Sequence, residues 1–269
     1  MRRIAHLSDL HFGTEEPPIV EGLLEDLARQ SPHLVVVSGD LTQRARRQQF
    51  VAARAFLDRI PAPRLVVPGN HDIPLYNVLD RLTRPLSRYR ALITDDLHPF
   101  HHDSEMAVAG VNSARPDQWK EGRLSLRQIR RLQEQFESVS SDHFKVLVCH
   151  HPFIPPENRA PAAVVGRGRV ALRMLEAAGC ALILTGHLHH AYSGDTRPFH
   201  LEMKRSILVA QAGTAISHRR REEANAYNLI TLNGDRLDLM VRAWDGHQFA
   251  TTGQKRYHRT ESGWAPTTS

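Results

Sequence analysis

The chain has 269 residues, 41% apolar and 24% charged, with a formal net charge of +6. At ~150 residues per domain one large domain is allowed, and the apolar share supports a packed core rather than a disordered chain. No run approaches the ~18 apolar residues of a membrane span, and Asp9 and His11 interrupt the signal-like start at once. Cys149 and Cys180 cannot make a disulfide framework, so the expected setting is cytoplasmic.

The first half alternates short apolar runs with helical patterns. Residues 4–8 predict a strand, 19–29 a helix with Leu23, Leu24 and Leu27 on one side, and 34–38 a buried strand. A second helix is expected over 46–59 and a third strand over 65–67. This alternation argues for a layered α/β unit. Residues 76–92 have partial helical periodicity broken by Pro85. Further on, 107–111 reads as a strand, 125–138 as a helix capped by Ser125, and 144–149 as a strand. A helix over 170–178 stops at Gly179, before a strand over 181–184. Runs at 199–203, 207–211, 227–232 and 237–243, with Asn233-Gly234 as a hairpin signal, predict an antiparallel meander. One domain is expected over 1–245, followed by a polar tail over 246–269 without full order.

Chemistry-bearing residues recur at the strand ends: Ser8-Asp9-Leu10-His11, Ser38-Gly39-Asp40, Gly69-Asn70-His71-Asp72, His150-His151 and Gly186-His187-Leu188-His189. Ligands gather at the carboxyl ends of strands in open α/β sheets. Singly these groups are ordinary turn, cap or surface residues. As a set they place Asp9, His11, Asp40, Asn70, His150, His187 and His189 in one cleft, a mixed oxygen and nitrogen donor set without thiolate. Seven donors exceed one tetrahedral site, so two ions bridged by a carboxylate are expected. Cys149 and His150 are adjacent strand residues and face opposite ways, which argues against a Cys/His catalytic pair.

These five blocks, in this order, resemble the motifs of the calcineurin-like metallophosphoesterase superfamily, and the resemblance runs over roughly residues 3–243. It implies a four-layer α/β/β/α sandwich with two central mixed sheets, the C-terminal antiparallel strands lying in the second. It implies two divalent or mixed-valence ions (Mn, Fe or Zn), one held by Asp9, His11, Asp40 and His189, the other by Asp40, Asn70, His150 and His187. It further implies a metal-bridging hydroxide as nucleophile, His71 as the catalytic group near the leaving oxygen, and Asp72 as the residue that orients it and holds its pKa near neutral. His151 and His190 are expected to pack around the site rather than to ligate.

The spellings His150-His151-Pro152 and Gly186-His187-Leu188-His189-His190 look most like bacterial class III cyclic nucleotide phosphodiesterases. The implied substrates are small phosphodiesters: 3′,5′- or 2′,3′-cyclic nucleotides or glycerophosphodiesters. Three alternatives stay open. A UDP-2,3-diacylglucosamine pyrophosphatase would use an apolar surface such as Ile73, Leu75, Tyr76, Val78, Leu79 and Leu82, otherwise read as a helix packing face. A DNA nuclease would use Arg44, Arg46, Arg47 and Arg219, Arg220, Arg221, modest runs that disfavour nucleic acid as partner. A non-catalytic scaffold would have lost ligands, and all seven are present. Arg115, Trp119 and Lys120 are candidates for contact with a substrate phosphate or base, with Trp119 as a core cap the alternative. A homodimer is compatible with the sequence and unmarked by it.

Overall fold

The computed structural model describes residues 1–155, 164–219 and 223–267. In chain order these form β1 (Arg2–Leu7), α1 (Pro17–Gln30), β2 (Leu34–Val37), α2 (Arg47–Asp58) and β3 (Arg64–Val66). A 3-10 turn (Asn70–Asp72) and the short helices α3 (Val78–Thr83) and α4 (Ser87–Leu92) follow, divided near Pro85 as the sequence predicts. Then come β4 (Phe100–His102), β5 (Met106–Val111), α5 (Leu126–Glu137), β6 (Phe144–Cys149), α6 (Gly168–Ala177) and β7 (Cys180–Thr185). The chain closes with β8 (Tyr192–Asp195), β9 (Leu208–Gln211), β10 (Ala226–Asn233), β11 (Arg236–Trp244), β12 (Phe249–Thr260) and β13 (Gly263–Pro266).

Two mixed sheets result, ordered β13-β12-β11-β10-β1-β2-β3 and β4-β5-β6-β7-β9-β8. Strands β1, β2 and β3 are parallel, as are β5, β6, β7 and β9. The near-continuous apolar strands are explained by burial on both faces. In β2, Leu34 and Val36 pack between the sheets, while Val35 and Val37 face the core under α1 and α2. In β6, Val146 and Val148 face inward, while Leu147 and Cys149 meet the core of α5 and α6. The layers are therefore helix, sheet, sheet, helix.

Several expectations are corrected. Of the predicted meander, the run at 207–211 lies in the second sheet as β9, whereas β10 to β13 extend the first, because β10 pairs with the free edge of β1 (Arg2 opposite Leu232). The run at 199–203 is turn, with Leu201 89% exposed; β8 takes that place in the second sheet. The polar tail is ordered strand over 249–260 and 263–266, because Phe249, Tyr257 and Trp264 are buried while the residues between them face water. The apolar stretch after the 3-10 turn is not a packing face. Ile73 is buried, whereas Tyr76, Val78, Leu79 and Leu82 are exposed. No helix among the described residues is long and apolar enough to cross a membrane.

Candidate metal centre

All seven expected donors stand just beyond strand ends: Asp9 and His11 after β1, Asp40 after β2, Asn70 after β3, His150 after β6, His187 and His189 after β7. The first three strands belong to one sheet and the last two to the other, so the cleft lies where the carboxyl ends of the two sheets meet. The turns are sharp. Asp9, His11, Asp40, His187 and His189 all have φ between 49° and 76°, a region costly for residues with a Cβ. Strain of about 1–3 kcal/mol per residue persists only where the surroundings hold it, and five of the eight non-glycine residues at positive φ among the described residues are these expected donors. Gly39 (φ 107°) starts the turn that delivers Asp40. At Gly186 the close approach matters instead, since a Cβ would run into Ser8 Oγ and the Asp9 carboxylate.

The site is almost fully buried. Asp9 Oδ1 lies 3.6 Å from Nε2 of both His11 and His189. Asp40 Oδ2 lies 3.3 Å from His150 Nε2 and 3.8 Å from His11 Nε2. Asn70 Oδ1 is 3.2 Å from His150 Nε2 and 3.1 Å from His187 Nδ1. Asp9 Oδ1 and both ring nitrogens of His11 are buried with no hydrogen-bond partner. Unpaired polar groups in a dry site cost free energy, and separations of 3.3–3.8 Å suit donors that share a cation better than donors that bond each other. Ligand atoms of Asp9, His11 and His189 lie within 4.8 Å of one another, as do those of Asp9, Asp40 and His150. The donor set thus fits metal ions.

The surroundings fix which nitrogen each ring presents. His150 Nδ1 donates to the Ser38 carbonyl (2.8 Å), which leaves Nε2 for the cleft. His189 Nδ1 meets Thr214 Oγ1 at 2.7 Å, turning Nε2 toward Asp9. Such outer partners orient metal ligands. Burial opposes charge on the two carboxylates, yet the surrounding imidazoles hold both well below the usual range: His189, the nearby His11 and His150 for Asp9; His150, His71 and His11 for Asp40. Burial likewise opposes charge on His150, but Asp40 and Asp9 raise it to about 9. A potential negative enough to hold a proton there also attracts cations.

His71 sits at the rim, its ring 4.9 Å from that of His11. Its Nδ1 donates to the Gln43 carbonyl at 2.9 Å, and its backbone N–H donates to Asp40 Oδ1 at 2.8 Å. Burial lowers its pKa to about 4. The expected role of Asp72 is corrected. Its carboxylate accepts from the N–H groups of Leu41, Thr42 and Gly69 and from Thr42 Oγ1, and so ties the Asp40 loop to the Asn70 loop. Gln43, not Asp72, orients the His71 ring.

His151 is closer to the chemistry than adjacency in a strand suggests, because β6 ends at Cys149. Its ring lies 4.8 Å from that of His187, and Nδ1 meets Ser113 Oγ at 2.7 Å. The Nε2 has no hydrogen-bond partner, and its ligand atoms cluster with those of His150 and His187. His190 turns away, toward Glu223 at 2.8 Å. Both thiols are inert by burial, Cys149 pushed up to about 11 and Cys180 to about 12. Trp119 is 54% exposed and is not a core cap. Arg220 and Arg221, and part of the loop at 152–168, lie outside the described residues. Arg44, within 3.4 Å of His71 Nδ1, is placed here by folding. The sequence gives it only as part of a basic run.

Known proteins share this fold and parts of this sequence. A probable cyclic nucleotide phosphodiesterase of Pseudoalteromonas sp. is 21% identical over 89% of this chain and 91% of its own. The glycerophosphodiester phosphodiesterase GpdQ of Enterobacter lignolyticus is 35% identical over a shorter stretch, 26% of this chain and 29% of its own. Among solved structures, a dimetal phosphatase from Danio rerio superposes with a TM-score of 0.66 at 14% identity, over 93% of this chain and 98% of that one. A purple acid phosphatase from yellow lupin superposes with a TM-score of 0.71 at 12% identity over the whole chain, which spans 57% of the lupin protein. The sequence pattern of the calcineurin-like phosphoesterase family matches residues 2–191. With that match over most of its length and a buried Asp/His cleft suited to metal, the chain belongs to the calcineurin-like phosphoesterase family and is a metal-dependent phosphoesterase.

Proposed function

We propose that the chain hydrolyses small phosphodiesters (cyclic nucleotides or glycerophosphodiesters) at a two-metal centre. The observation that carries this reading is the convergence of seven oxygen and nitrogen donors, five of them buried and Asn70 and His187 half-buried, with Asp40 Oδ2 facing both the His11 side and the His150 side of the cleft. Asp9, His11, Asp40 and His189 would hold one cation, and Asp40, Asn70, His150 and His187 the other. Bound cations lower the pKa of water and offset charge on the phosphoryl oxygens.

The chain's own residues do the rest. Neutral Asn70 leaves the second position less anionic than the first. His71, its Nδ1–H fixed on Gln43, leaves Nε2 free. Burial, not Asp72, sets its low pKa, and the negative charge of a bound phosphate would raise that pKa so that Nε2 takes up a proton from water and passes it to the leaving oxygen. Arg44 stands beside it to attract the phosphate. The names of the two relatives above support a diester substrate. One observation favours a second reading: exposed Val78, Leu79 and Leu82 would suit the acyl chains of a lipid-linked pyrophosphate such as UDP-2,3-diacylglucosamine.

A metal-reconstituted panel tests the proposal, comparing kcat/KM for 3′,5′-cyclic AMP, 2′,3′-cyclic AMP, glycerophosphocholine, UDP-2,3-diacylglucosamine and single-stranded DNA. A preference for the small diesters supports it. Selective cleavage of the lipid pyrophosphate or of DNA overturns it.

A further inference from the structure

Arg81 is 3% exposed. Among the described residues it has no carboxylate at ion-pair distance, and its N–H groups go to three carbonyls. Nε donates to Pro116 at 2.7 Å, Nη2 to Gln118 at 2.7 Å and Nη1 to Pro74 at 3.2 Å. A buried guanidinium with only neutral partners is a costly joint, and this one fastens α3 to the loop at 112–123. The same guanidinium lies 4.3 Å from the centre of the Trp119 ring and covers it on one side. More than half of Trp119 stays open to solvent, as do its neighbours Lys120 and Glu121, and it is the large apolar ring among them. The loop is registered to the metal centre: the Trp119 carbonyl accepts from Asn70 Nδ2 at 3.4 Å, while Asn70 Oδ1 faces His150 and His187. A large exposed ring, rigidly backed and one hydrogen bond from an expected metal ligand, has no packing role.

We infer that Trp119, held by Arg81, is the platform on which a planar ring of the substrate stacks, which makes the substrate a nucleotide phosphodiester. The inference rests on the phosphodiesterase reading and narrows it. Stacking on an indole tolerates any base, because each has a π face. The backbone of Trp119 is one hydrogen bond from Asn70, so a base stacked there would lie outside the cleft that takes the phosphate.

The test uses metal-reconstituted full-length protein, with Trp119→Ala and Trp119→Phe. The alanine variant should raise KM for cyclic AMP about tenfold with little change in kcat. It should cost cyclic AMP at least about tenfold more in kcat/KM than it costs glycerophosphocholine, which has no ring. Phenylalanine should restore most of the loss. In a second arm AMP alone should quench the intrinsic fluorescence of the wild type, and Trp119→Phe should abolish that quenching although Trp244 and Trp264 remain. Equal losses on both substrates, or quenching that survives in Trp119→Phe, overturn the platform. A wild type inactive on both diesters refutes the phosphodiesterase reading instead, and the fluorescence arm still decides the platform.

Discussion

Asp40 does more than any other side chain in the cleft. Its Oδ2 faces His150 and His11, while its Oδ1 holds the His71 backbone. Asp40→Asn keeps the shape and the bond to His71 but removes the anionic charge that the two proposed cations would share. The expected outcome is fewer than one metal per chain by elemental analysis and turnover at least about a thousandfold lower, equivalent to several kcal/mol of lost charge stabilisation. His71→Ala separates the two functions. It should leave metal content intact and slow turnover by about 10²–10⁴-fold, the usual contribution of a positioned proton donor. Loss of both metals in that variant would instead make His71 a structural part of the centre. At this scale the donors were readable because each block of Asp, Asn or His follows an apolar strand, so chain order alone implies a shared cleft. The partners of Asp72 were not. Three of them are backbone N–H groups, which carry no residue signature, and Gln43 reaches His71 through its carbonyl. The orientation of His151 was not readable either, since it depends on where β6 stops.

Among the elements, α1 shows how a helix is fastened to a sheet through a buried charge. Asp26 is fully buried and accepts from Tyr227 Oη (2.7 Å) on β10 and from Arg242 Nε (2.6 Å) and Nη2 (2.8 Å) on β11. Burial alone would raise its pKa, but the bonds from Arg242 and Tyr227 outweigh burial and hold it below the ordinary 3.8. A carboxylate whose folded pKa is depressed contributes stability above its unfolded value and loses it as the pH falls through the folded value. Asp26→Ala takes the acceptor from Tyr227 and leaves the Arg242 charge with only Thr251 Oγ1 and the Phe249 carbonyl, and should cost about 3 kcal/mol near neutral pH, as for one partner removed from a buried pair. Urea titrations at falling pH should show the difference narrowing below about pH 4 as the wild type protonates. A gap that widens in acid would contradict the assignment. Elements were legible where apolar runs are long, as in β2 and β6. Strands β4 and β8 were missed because they are three and four residues at sheet edges, and Tyr192-Ser-Gly-Asp has no apolar alternation to reveal it.

Across the whole molecule, the last strands help hold the two sheets together at the end away from the cleft. Their composition is polar because β12 and β13 lie at the edge of the first sheet with one face in water. A polar edge strand and a loose tail have similar compositions, so sequence alone does not separate them. What separates them is a few buried side chains at wide spacing, and Trp264 is the largest of these. It is 4% exposed, belongs to the core between the sheets, and meets Phe144 of β6 edge-on at 5.5 Å. The contact joins the final strand of one sheet to a central strand of the other, six residues before His150. Trp264→Ala should therefore cost about 3–5 kcal/mol, the range for an aromatic lost from a close-packed core. Expected in urea is a lower midpoint with an unchanged slope, since the surface exposed on full unfolding stays nearly the same. A dispensable tail would leave the midpoint where it was. A lower slope would mean that β12 and β13 had already come away from the native sheet. Metal content of the variant distinguishes a general loss of stability from a change at the cleft, and it should match the wild type under native conditions, because no expected ligand touches Trp264.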